Sequence, residues 1–131
     1  MPRLDAIGVI VSDMERAVAF YARLGLEFAS EAEGGAGHRE AELPGGMRLM
    51  IDTEEVIGSF NPDWTPPQGG PRVGLAFLCE SPADVDRLHG ELLAAGAGER
   101  KAPWDAFWGQ RYAQVGDPDG NLIDLFAALD G

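Results

Sequence analysis

Apolar and polar positions alternate along this chain in two periods, and the same succession of periods occurs twice. Leu4 to Val11 is an apolar run rich in β-branched residues and predicts a buried strand. Ser12, with Glu15 three residues on, has the spacing of a helix capping box, so a helix is predicted from about Asp13 to Leu24. Val18, Tyr21 and Leu24 fall at helical spacing, and Gly25 is placed to end the helix. Leu26 to Glu33 predicts a strand, and Gly34 to Gly37 a turn or loose loop. Arg39 to Leu43 and Met47 to Asp52 then predict a hairpin about Pro44-Gly45-Gly46.

The pattern recurs from Val73, whose run to Glu80 predicts a second apolar strand. Ser81-Pro82-Ala83-Asp84 is a helix start, with proline at the first helical position and an acid three residues after the cap. Val85, Leu88, Leu92 and Leu93 give this helix its apolar stripe, and Gly96 ends it. Strands follow near Gly98 to Pro103 and Gln110 to Val115. Asp117-Pro118-Asp119-Gly120 is a strong turn signal, and Asn121 to Ala127 closes the chain as a strand. Each half therefore reads strand, helix, strand, strand, strand. The expected α+β fold is one domain over residues 1–131, with module one at about 1–54, a Pro- and Gly-rich linker at about 55–72, and module two at about 73–131.

Composition narrows the class. With 131 residues, 45% of them hydrophobic, the chain can bury roughly two-thirds of its unfolded surface and is not a disordered segment. Its single cysteine, Cys79, excludes an internal disulfide and reads as buried packing, since no nearby base is evident to activate it. The residues from Met1 to Asp5 carry no apolar signal run, and no stretch approaches the ~18 apolar residues of a membrane span. A cytoplasmic protein is the expectation. The net charge of −12 argues against a nucleic-acid partner. Residues 1–60 and 61–131 each carry five basic and eleven acidic side chains, which suits a duplicated unit better than a neutral core with an acidic tail. Such acidity keeps a protein soluble, and it also attracts cations.

Two segments resemble a known family. Val11-Ser12-Asp13-Met14-Glu15-Arg16-Ala17-Val18-Ala19-Phe20-Tyr21, ending in Leu24-Gly25-Leu26, is similar to the first strand and helix of the vicinal-oxygen-chelate superfamily, which includes glyoxalases, bleomycin-resistance proteins and extradiol dioxygenases. Gly116-Asp117-Pro118-Asp119-Gly120-Asn121-Leu122-Ile123-Asp124-Leu125 resembles that superfamily's last hairpin. The resemblance spans nearly the whole chain. It implies two βαβββ modules whose curved mixed sheets form a cleft, and a homodimer.

In metal-dependent members of this superfamily, four inward positions supply His, Glu or Gln ligands. Carried over one by one, these positions fall on Ala6, Gly74, Met50 and Asp124. A divalent ion needs three or four converging N or O donors, and only Asp124 supplies one. A shift of register does not restore the set. Side chains alternate along a strand, so the inward sets are Ala6, Gly8 and Ile10, and Gly74, Ala76 and Leu78. The opposite faces, with Ile7, Val9, Val11, Leu75, Phe77 and Cys79, read as packing beneath helices. His89 is expected on the outer face of its helix. His38 opens a strand and either faces the cleft or lies in a solvated loop. No metal and no cofactor are expected.

The resemblance then points to the metal-free, bleomycin-resistance-like branch, whose members sequester a cationic antibiotic. Small residues leave floor space in the cleft. Trp104 and Trp108 flank a loop, while Gln110, Tyr112 and Gln114 alternate with Ala113 and Val115, which pack on the helix. Planar rings stack on planar ligands and attract cations through their faces. The candidate ligand-binding residues are Trp104, Trp108, Gln110, Tyr112 and Asp124, with Met50, Phe60, Trp64, His38 and Arg48 from the first module and linker. Asp52, Glu40 and Glu42 are further counter-charges. For the tryptophans, core or dimer packing is the competing reading. Three functions compete. One is a binding protein for an aromatic or cationic small molecule such as an antibiotic. Another is a metal-free lyase or isomerase with Asp124 as a carboxylate base and Tyr112 or Gln110 orienting substrate. The last is a metal enzyme using His38, Glu40 and Asp124.

Overall fold

A computed structural model describes residues 1–30 and 36–130. The chain divides into two compact units, Met1–Pro67 and Gln68–Gly131. In the first, β1 (Ala6–Val11) leads into α1 (Met14–Ala22), followed by β2 (His38–Glu42), β3 (Arg48–Thr53) and α2 (Glu54–Phe60). The sheet order is β1-β3-β2, with β1 parallel and β2 antiparallel to β3. In the second unit, β4 (Gly74–Leu78) leads into α3 (Pro82–Ala94), β5 (Gly98–Ala106), β6 (Gln110–Gly116) and β7 (Leu122–Ala128). Its sheet order is β4-β7-β6-β5, again with one parallel pair, β4 with β7. The fold is α+β with two mixed sheets.

One face of each sheet is covered. Val9, Val11, Ala41, Leu49 and Ile51 are buried on the first sheet, together with Met14, Ala17, Phe20 and Tyr21 of α1. On the second, Ala113, Val115, Ile123, Leu125 and Ala127 are buried where α3 packs on β6 and β7, with Val85 and Leu92 of the helix. Period-2 alternation leaves Gly74, Ala76 and Leu78 of β4 on the exposed side.

Several sequence expectations need correction. Helix α1 is capped by Asp13, whose side chain accepts from the Arg16 amide at 3.0 Å, and Ser12 instead accepts from the Arg16 guanidinium. Asp and Ser are equivalent caps in isolation, so sequence alone could not choose between adjacent ones. Of the strand expected from Leu26, the described pairing is a single bridge between Phe28 and Ala41; residues 31–35 lie outside the described residues. The expected linker begins with a helix, α2. Thr53 caps it by accepting from the Val56 amide at 3.2 Å, Glu54 and Glu55 favour its first turn, and Ile57 is buried. Its seven residues are too short for a periodic stripe, and Gly58 masked it further. Strand β5 runs past Pro103 to Ala106, because register shifts between Glu99 and Lys101 and between Lys101 and Trp104 accommodate a proline on this edge strand.

His89 also needs correction. It is 6% exposed rather than on the outer face of α3. Four residues after Val85 and three before Leu92, it belongs to the buried stripe, and its polarity concealed that. Its Nε2 lies 3.2 Å from a Glu99 carboxylate oxygen. No helix among the described residues is long and apolar enough to cross a membrane.

Leu92 is fully buried under α3, so Leu92→Ala is expected to lower the unfolding free energy by about 3 kcal/mol. Urea titration followed by circular dichroism measures this. A loss below about 1 kcal/mol would mean that α3 does not pack on the sheet as described.

Candidate functional site

Register decides which side chains share the uncovered face of each sheet. In the first unit three rows cross the strands: Ala6–Arg48–Glu42, Gly8–Met50–Glu40 and Ile10–Asp52–His38. In the second, Ala76, Asp124, Gln114 and Lys101 form one row, and Leu78, Phe126, Tyr112 and Trp104 form the next. The repeat legible in the sequence is thus a repeat of positions. Met50 and Asp124 occupy equivalent places, flanked by Gly8 and Ala76 on one side and by Glu40 and Gln114 on the other.

The first unit's face carries a chain of charged hydrogen bonds. Arg48 donates to Asp5 and to Glu40, both at 2.7 Å. The other Glu40 oxygen lies 2.8 Å from His38 Nε2, and His38 Nδ1 lies 2.5 Å from Asp52. With a carboxylate at each ring nitrogen, the imidazole is held in its charged form. The bond to Glu40, then that to Asp52, raises its pKa above the ordinary 6.5. The same bond, followed by that to Arg48, holds Glu40 below the usual carboxylate range, and the Arg48 guanidinium does likewise for Asp5. Arg48 and His38 are therefore committed to carboxylates of their own unit.

The second unit's face is aromatic. Trp104 packs edge-on against Trp108 and Tyr112, with centroids at 6.0 and 5.6 Å, and Trp108 packs edge-on against Tyr112 at 5.4 Å. Tyr112 stacks on Phe126 at 6.0 Å and 26°. The Trp108 indole donates to Gln110 at 2.8 Å, which fixes the ring's edge, and the residue is 49% exposed. Asp124 closes the cluster. It accepts from the Tyr112 hydroxyl at 2.6 Å and from the Gln114 amide at 2.9 Å. Burial, reinforced by that hydrogen bond, pushes the Tyr112 phenol up to about 12, so it stays a donor at any physiological pH. Among the described residues no cationic side chain pairs with Asp124.

Eight of the ten candidate residues thus fall into two groups. Trp104, Trp108, Gln110, Tyr112 and Asp124 come together on the second sheet. His38, Arg48 and Met50 share the first sheet's open face. Phe60 is the exposed last residue of α2, and the Trp64 amide bonds the Asn61 carbonyl in the turn beyond. Phe126 and Lys101 were missed from the sequence. Phe126 was within reach, being two residues after Asp124 and so on the same face. Lys101 was not, because the bulges beside it shift the alternation.

The donor set does not fit the metal that the fold would carry. Ala6 and Gly74 offer no side-chain donor, Met50 offers a thioether, and Asp124 is a single carboxylate already bonded at both oxygens. Among the described residues no group of three or more His, Cys, Asp or Glu side chains is placed to hold an ion. A doubly donating His38 has no free lone pair to offer one.

Comparison with known proteins agrees with this architecture. The profile of the Glyoxalase/Bleomycin resistance protein/Dioxygenase superfamily matches residues 3–125, and the chain belongs to that superfamily. Among solved structures, a family enzyme from Burkholderia phytofirmans PsJN superposes with a TM-score of 0.83 at 22% identity, covering 98% of this chain and 100% of its own. A glyoxalase/bleomycin resistance protein/dioxygenase from Nocardioides gives 0.73 at 26% identity, covering 100% and 86%. A glyoxalase-related enzyme from Fulvimarina pelagi gives 0.80 at 17% identity, covering 97% and 88%. No curated protein matches the chain.

The His38 bridge makes a pH-dependent prediction. Because its folded pKa is raised, the stability it adds is complete below 6.5 and is lost as pH rises through the raised value. The stability difference between wild type and His38→Gln should therefore be greatest below 6.5 and shrink as pH rises above it. Proton NMR of the His38 ring should show a midpoint above 6.5. A midpoint at or below it would contradict the double bridge.

Proposed function

We propose that this protein is a metal-independent binding protein that sequesters a planar small molecule bearing a cationic group, as an antibiotic-binding member of its superfamily would, and that it does so as a homodimer. The single observation that carries the reading is the pairing of an aromatic row with a carboxylate that has only neutral partners. Trp104, Trp108, Tyr112 and Phe126 supply ring faces and edges, and Asp124 beside them is hydrogen-bonded only by Tyr112 and Gln114. A planar ring gains by stacking there, and a cationic nitrogen gains a charge-assisted hydrogen bond to Asp124. Each carboxylate oxygen keeps a second lone pair for that bond.

The same geometry weighs against Asp124 as a general base. Among the described residues its one titratable hydrogen-bond partner is Tyr112, which holds its proton to about 12 and so does not relay one. A reading with His38 as a metal ligand is disfavoured by the two carboxylates at its ring nitrogens.

Proflavine, a planar cation, is expected to quench tryptophan fluorescence and to raise the melting temperature by mass action. Asp124→Asn should weaken its binding by about tenfold, as loss of a hydrogen bond to a charged group does. Trp104→Ala should weaken it as well. No quenching of wild type by proflavine or a wider set of planar cations would sink the proposal, as would full affinity in both variants.

A further inference from the structure

The aromatic face has a cation of its own. Lys101 Nζ lies 4.9 Å from the Trp104 ring centroid, over its face. That contact spends the ring surface a ligand cation would otherwise choose. Lys101 also stands in the same row as Gln114 and Asp124, at the opposite end. The row thus runs from an ammonium on β5, through a neutral amide on β6, to a carboxylate on β7. Its ends are two strand spacings apart, about 10 Å. The aromatic row, Trp104–Tyr112–Phe126, runs parallel beside it.

We propose that this face selects aromatic zwitterions: a planar ring lies along the aromatic row, its cationic group is directed to Asp124, and an anionic group is directed to Lys101. The inference rests on the binding role of this face proposed above and adds its charge selectivity. Three points support the orientation. Lys101 is exposed and makes no ion pair among the described residues, so its charge is available to a ligand anion. Asp124 is half-buried and has only neutral partners, so it is the end that favours a cation. Gln114, between them, cannot neutralise either. A purely cationic ligand would gain at Asp124 and lose near Lys101; a zwitterion of matching polarity gains at both ends.

A matched pair of dyes tests this. Rhodamine 110 is a zwitterion with a planar xanthene ring system, and rhodamine 123 is its methyl ester, a cation with the same ring system. Binding is read by fluorescence anisotropy at low salt. Wild type should bind rhodamine 110 about fivefold more tightly than rhodamine 123, the worth of one exposed charge pair. Lys101→Met should abolish that preference while rhodamine 123 affinity holds or rises. Lys101→Glu should invert it. Asp124→Asn should weaken both dyes together. Melting temperatures of the variants check that they remain folded, and the inversion by Lys101→Glu is a readout that misfolding cannot mimic. If both dyes bind wild type equally, or the preference survives in Lys101→Met, the charge selectivity is wrong and the binding reading stands. If neither dye binds while proflavine does, the zwitterion selectivity alone is overturned; if proflavine also fails, both are overturned.

Discussion

Among the described residues of each unit, one face of the sheet packs beneath a helix, and the make-up of the opposite face depends on that. Helix α3 buries Val85 and Leu92 where it packs on β6 and β7, whose Ala113, Val115, Ile123 and Leu125 are themselves fully buried. Because side chains alternate strictly along a strand, fixing those four residues inward fixes Tyr112, Gln114, Asp124 and Phe126 on the other side. A one-residue slip would bury Asp124 under the helix and expose Leu125. The hydrophobic cost of that exchange holds the register, and the register assembles the open face. The Asp117 turn between β6 and β7 reinforces it: the buried Asp117 carboxylate accepts from the amides of Asp119 and Asn121 and from the Asn121 side chain, all at 2.9 Å.

The two units apply the same constraint to different residues. At equivalent positions the first unit places Met50, Glu40, Asp52 and His38 where the second places Asp124, Gln114, Phe126 and Tyr112. On the first face Arg48 and His38 each already have carboxylate partners. The second is aromatic, with its one carboxylate and its one lysine separated across the sheet. Charges that already neutralise one another gain little from a ligand, and charges held apart gain more. The two units share a pattern of positions, and the residues on their open faces differ, which is why the second is the proposed binding face.

Most of the scaffold was legible in the sequence because it rests on local signals. The runs Leu4–Val11 and Val73–Glu80, the Ser81-Pro82 helix start and the Asp117-Pro118-Asp119-Gly120 turn each state their element within a few residues. The face assignment on β6 was legible for the same reason, since Ala113 and Val115 against Tyr112 and Gln114 is a period-2 pattern. What was not legible depended on partners distant in sequence. The burial of His89 is set by its place on a stripe against a sheet and by Glu99. The charged form of His38 is favoured by Glu40, two residues on, and by Asp52, fourteen residues on and directly opposite it on β3, and the second of these partners is invisible to local spacing. Lys101 reaches Trp104 through bulges that no alternation rule anticipates. The positions of the expected metal ligands could be counted from the motifs, but the commitment of Asp124 to Tyr112 and Gln114 needed the register.

The central claim is that the open face of the second sheet receives a small planar ligand. Its most direct test is the nitrogen–proton correlation spectrum of the three tryptophan indoles during titration with rhodamine 110. Trp104 and Trp108 lie on that face, and Trp64 belongs to the first unit. The Trp104 and Trp108 indole signals should shift progressively and saturate together. Signals that stay in place at both residues while the dye binds would contradict that claim.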